Sequence, residues 1–155
     1  MDWTKAIDIY CERLGPGYWA EPVNAVTNAA FLIAALIMAW RLRDTRLPLA
    51  WALVAVLALI GVGSFLFHTH AQTWSALADT GAIAVFILIY LYAASRDYLG
   101  LSWIYAGLSV LAFFPFAALL VPLLRDLPVL GVSAGYLPVV ILIALYAVIL
   151  ARRAP

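Results

Sequence analysis

Charge is what this sequence has least of. Only 11% of its 155 residues are charged and 67% are hydrophobic, where an ordinary soluble domain carries about 25% charged and about 45–50% apolar residues. That scarcity excludes a soluble globule. The charges nearly cancel, to a net +1, and they form neither a basic run nor a glycine-rich phosphate loop, so no nucleic-acid partner is expected. A single cysteine, Cys11, excludes an intramolecular disulfide framework and a cysteine-rich zinc site; its simplest reading is a small, partly buried thiol. The first 20 residues include Asp2, Lys5, Asp8, Glu12 and Arg13 and lack a continuous apolar core, so no cleavable signal peptide is expected and the first span acts as the membrane signal.

What the sequence does have is long apolar runs. At about 20 residues per crossing, five spans are predicted, at about 22–40, 47–67, 76–94, 98–123 and 128–151. The expected fold class is all-α, a polytopic transmembrane helical bundle, with residues 1–155 forming one membrane domain and 1–20 an extracytoplasmic leader. Pro115, Pro122 and Pro138 predict kinks. Trp19, Trp51, Trp74 and Trp103 fall near span ends, as interfacial anchors do. With the N-terminus outside, Arg41, Arg43, Arg46, Arg96, Arg152 and Arg153 fall inside and only Lys5, Arg13 and Arg125 outside. The bias predicts an extracytoplasmic N-terminus and a cytoplasmic C-terminus.

In so apolar a chain the informative residues are the polar ones at membrane depth, since each needs a partner, a metal or a water-filled cavity. Glu21, Asn24 and Asn28 are spaced to share one face of the first span. Ser64 and His68 lie one turn apart at the end of the second, His70 points elsewhere, and Gly61 and Gly63 permit close helix approach. Asp79 stands at the head of the third. By topology, Glu21, Asn24, Ser64, His68 and Asp79 all fall toward one membrane face, which favours a site. Blander readings exist for each: Ser64 bonded to its own helix carbonyl, Asp79 as a helix N-cap, Glu21 before Pro22 as a helix start. Asp8, Glu12 and Glu21 form an acidic set, and the GPG at 15–17 provides a turn to fold it over the site. Carboxylates on a looped segment suit a hard cation such as Ca²⁺.

The segments DIYCERLGPGYWAEPVNAVTN and GVGSFLFHTHAQTWSALADTGAIAVF resemble the ceramidase family of membrane hydrolases, over about residues 8–95. That family sits in a wider superfamily of seven-span metal-dependent hydrolases that includes the progestin and adiponectin receptors. The resemblance implies a zinc-dependent amidase that cleaves the N-acyl bond of ceramide or a related lipid drawn from the bilayer. It implies that His68 is a zinc ligand, that Asp79 handles the proton of the attacking water, and that Ser64 donates a hydrogen bond to the developing oxyanion. It also implies Ca²⁺ held by Asp8, Tyr10, Glu12 and Glu21. The family takes two further zinc ligands from a His-x-x-x-His pair on its last span, whereas the only histidines here are His68 and His70. The expectation is a chain lacking the final two of seven spans and inactive without them. The alternative is a non-catalytic lipid-binding or receptor-like protein on the same scaffold. A small transporter or channel is disfavoured, because spans four and five carry no charge at mid-depth.

Overall fold

The computed structural model describes residues 2–127 and 130–153. The expected start of the fifth span, at residues 128 and 129, lies outside them. Among the described residues five helical stretches are long and apolar enough to cross a membrane: Pro22–Leu42, Pro48–His70, Thr73–Tyr98, Trp103–Arg125 and Ser133–Arg152. The chain divides into two compact units, Met1–Ile89 and Tyr90–Pro155.

In the first unit, α1 (Pro22–Thr27) and α2 (Ala29–Leu42) form the first span, α3 (Pro48–His70) the second, and α4 (Thr73–Ala93) opens the third. Pro22 and Pro48 begin their helices, where proline loses no hydrogen bond and its fixed φ suits the first turn. The first span is interrupted at Asn28. There the Asn28 side chain donates to the Asn24 carbonyl at 2.8 Å and the Thr27 hydroxyl to the Val23 carbonyl at 2.8 Å, side-chain bonds that compete with the helix ladder. Gly61 and Gly63 allow the close packing expected of them. A Cβ at Gly61 would lie 3.1 Å from Leu32, and one at Gly63 only 2.7 Å from the Ala78 carbonyl oxygen, so α3 crosses α4 backbone to backbone beside Ser64 and Asp79.

The leader is built into this unit. α3 ends at Ala71, whose φ of +48° is a left-handed conformation that a Cβ disfavours by roughly 1–2 kcal/mol. The leader braces that turn: Ile7 N–H donates to the Ala71 carbonyl at 2.8 Å, Thr73 N–H to Lys5 and Trp74 N–H to Trp3, both at 3.1 Å. Cys11, expected to be partly buried, is exposed on this leader.

In the second unit a π-helical turn, Ala94–Tyr98, prolongs α4, and then come α5 (Trp103–Arg125), a 3-10 segment (Gly131–Tyr136) and α6 (Leu137–Arg153). The fourth span therefore begins at Trp103 and not near 98, because the π turn and Gly100, with φ +70°, occupy the intervening chain. Pro115 and Pro122 lie inside α5. Pro138 is the second residue of α6, where its missing N–H costs nothing, so the kink predicted there is not required. Apolar side chains such as Leu119 and Leu123 stand about three-quarters exposed on the helix surface, as lipid-facing positions should.

Candidate functional site

The polar residues singled out in the sequence converge in the first unit, around His68 in the last turn of α3. His68, Glu21, Ser64 and Asp79 are all buried. The His68 Nδ1 lies 2.5 Å from Glu21 Oε2, and Tyr10 sets its ring edge-on to the imidazole at 4.8 Å between centroids. Asp79 stands on α4 at the crossing with α3, where a Cβ at Gly63, next to Ser64, would lie 3.2 Å from the Asp79 Cα. It stands two turns inside α4, which begins at Thr73, so it is not the helix N-cap that its place at the head of the span suggested. Its Oδ1 is buried and has no hydrogen-bond partner among the described residues. A buried acceptor left unmet costs about 1–3 kcal/mol, and more when charged. Such an atom is one for a ligand, metal or water to meet.

One residue that sequence reasoning counted only as a charge proves central. Arg13 is buried and donates from Nε to Glu21 Oε1 at 2.5 Å, from Nη2 to the His68 carbonyl at 2.9 Å and from Nη1 to the Gly15 carbonyl at 3.3 Å. The available signal was its position: a lone cation among acids, ahead of a GPG turn that brings it back to a carboxylate eight residues on. Burial works against the Glu21 charge, yet the hydrogen bonds from His68 and Arg13 and their charges hold its carboxyl below the usual value. An ionised carboxylate only accepts, so Nδ1 of His68 carries the proton of that bond.

The remaining candidates fall elsewhere. Both Glu12 oxygens cap α1, accepting from Val23 N–H at 2.7 Å and Asn24 N–H at 3.0 Å, a role suited to an anion at a helix N-terminus. Asp8 is exposed and lines a cavity of about 330 Å³ with Arg13, His70 and Gln72. Asn28 turns inward, but its amide serves the Asn24 carbonyl; Asn24 is half-buried. His70 packs between Tyr18 and Trp74, away from Glu21.

Among the described residues no three His, Cys, Asp or Glu side chains gather where they could hold a metal ion. His68 nevertheless fits a zinc ligand, because a carboxylate on one ring nitrogen is how metal-binding histidines are usually oriented, leaving the other for the ion. Asp79, with its unmet oxygen, stands beside it, but these two side chains are fewer than the three protein ligands that catalytic zinc commonly takes. The calcium set does not fit: the carboxylate oxygens of Glu12 and Glu21 are all taken by N–H donors.

Compared with known proteins, the chain matches one family model, described as Ceramidase, over residues 10–154. No curated protein matches it. No solved structure does so either.

Proposed function

The chain belongs to the ceramidase family, and from that premise we propose that it is a multi-pass membrane amidase that hydrolyses the N-acyl bond of ceramide or a related lipid with the help of zinc, its N-terminus extracytoplasmic and its C-terminus cytoplasmic. The observation that carries this reading is the buried Glu21–His68 pair beside an Asp79 oxygen that nothing in the described chain satisfies. An ion pair or hydroxyl kept only for packing would have its polar atoms met.

Each residue has a part. Glu21 holds Nδ1 of His68 and leaves Nε2 with its lone pair free for a metal. Zinc, when bound, acidifies water enough to supply hydroxide near neutral pH and polarises the amide carbonyl. Asp79 takes the proton from the attacking water and returns it to the departing amine, and fatty acid and long-chain base result. Ser64 donates its hydroxyl proton in a hydrogen bond to the oxygen that gains charge as the carbonyl is attacked.

Catalytic zinc commonly takes three protein ligands, and the sequence holds no His-x-x-x-His pair. The test therefore supplies imidazole. The chain, purified into lipid nanodiscs with zinc and added imidazole, should release fatty acid from ceramide, read by mass spectrometry, with Asp79→Asn silent. Ceramide binding that is identical in both proteins, with no release from either, would overturn the proposal and favour a lipid-binding role.

A further inference from the structure

Arg13 is surrounded as a bound cation would be. Its guanidinium meets a carboxylate oxygen of Glu21 and two backbone carbonyls, those of Gly15 and His68, and its side chain is only 5% exposed although the leader around it is open to solvent. Guanidinium stays protonated under all ordinary conditions, so this is a permanent positive charge at a fixed place. Glu21, 3% exposed in its side chain, spends one oxygen on that charge and the other on Nδ1 of His68. Glu12, the nearest other carboxylate of the leader, is drawn off to the α1 amides. The place where a divalent cation would have to sit is therefore filled by the chain itself.

The consequence runs through the imidazole. Without Arg13, a carboxylate this deeply buried would lose the partner that holds its Oε1 and would be free to turn away from the imidazole. A displaced Glu21 no longer accepts from Nδ1 of His68, and the ring is free to place its proton on either nitrogen. With Arg13 present, Glu21 stays an acceptor and the proton stays on Nδ1.

We infer that Arg13 is a positioning residue, a built-in cation that fixes His68 in its Nδ1–H form through Glu21 and makes a divalent cation in the leader unnecessary. The purpose of this arrangement, to present Nε2 to zinc, rests on the function proposed above; the arrangement itself does not.

The test is nuclear magnetic resonance of ¹⁵N-histidine-labelled protein in nanodiscs at neutral pH, in a His70→Gln background that leaves His68 as the one histidine. The parent should show a protonated Nδ1 and a bare Nε2, with the same spectrum in excess EDTA and in millimolar Ca²⁺. Arg13→Gln should turn the Nδ1–H form from the sole tautomer into the minor one, and Arg13→Lys, which keeps the charge, should restore it. A protonated Nε2 in the parent, a parent spectrum that moves with Ca²⁺, or an Arg13→Lys spectrum no closer to the parent than that of Arg13→Gln would each overturn the inference. If Arg13→Gln does not fold, the parent spectra with EDTA and Ca²⁺ and the Arg13→Lys spectrum still decide it. Added Zn²⁺ gives a separate reading: if Nε2 does not respond while the tautomer pattern holds, the zinc proposal fails and the Arg13 inference stands.

Discussion

The two units of this chain handle buried polarity in different ways. In Tyr90–Pro155 the polar cluster consists of hydroxyls alone: Ser95, fully buried, lies 2.8 Å from Ser109 and 2.9 Å from Tyr146, and Ser109 bonds the Ala106 carbonyl of its own helix. Every member is met. The charges of this unit, Arg96, Asp97, Arg125, Asp126 and Arg152, sit exposed at helix ends. In Met1–Ile89 the buried polar groups include four ionisable ones, Arg13, Glu21, His68 and Asp79, besides Asn28, Ser64, Thr69 and Ser75, and one carboxylate oxygen, on Asp79, is unmet among the described residues. Ionisable groups at membrane depth are expensive. The contrast teaches that satisfied hydroxyls link helices at little cost, whereas a partly unsatisfied ionisable cluster is costly and offers an atom for a ligand to meet.

Substitutions in each of the two units sharpen the contrast. The largest effect is expected for Asp79→Asn, which should lower fatty-acid release at least about 100-fold, the lower range for a lost proton-transfer group, while thermal unfolding in detergent is unchanged or improved. Glu21→Ala removes one partner of a buried pair and strands Arg13, at a cost of about 3–5 kcal/mol, read as a lower unfolding midpoint. Acid acts on the same group. Because the Glu21 carboxyl is held below its usual value of 4.5, its contribution is complete above that pH and is lost as pH falls through the lower folded-state value. Gly63→Leu drives a side chain into the Ala78 carbonyl and should cost about 1–3 kcal/mol, with loss of activity as Ser64 and Asp79 part. Tyr146→Phe, in the other unit, removes one hydroxyl bond and should cost only about 0.6 kcal/mol with activity intact. A Tyr146→Phe protein as damaged as Glu21→Ala would break the comparison.

Much of this was legible in the sequence. Five apolar runs separated by charged connections dictate five helices, because lipid tolerates no other backbone arrangement for single segments. The Ser64–His68 spacing and the Gly63 contact likewise follow from helical geometry. Boundaries were less legible where local turns compete with apolar runs: the π turn at Ala94–Tyr98 and Gly100 delay α5, and Thr73 begins α4 early enough to carry Asp79 away from the helix end. The leader was the least legible part. Its acids read as a cation site, but the partners of Glu12 are backbone amides of α1 and the partner of Glu21 is a cation one turn of the leader away. Such pairings arise from a fold-back that no periodicity announces.

In the proposed function His68, held by Glu21, is the imidazole that takes zinc, whereas His70 packs between Tyr18 and Trp74. Zinc uptake in nanodiscs, measured by equilibrium dialysis in the presence of imidazole, separates the two histidines directly. His70→Gln should bind zinc as the parent does, and His68→Gln should not bind it. Uptake that survives His68→Gln, or that is lost in His70→Gln, would contradict the account.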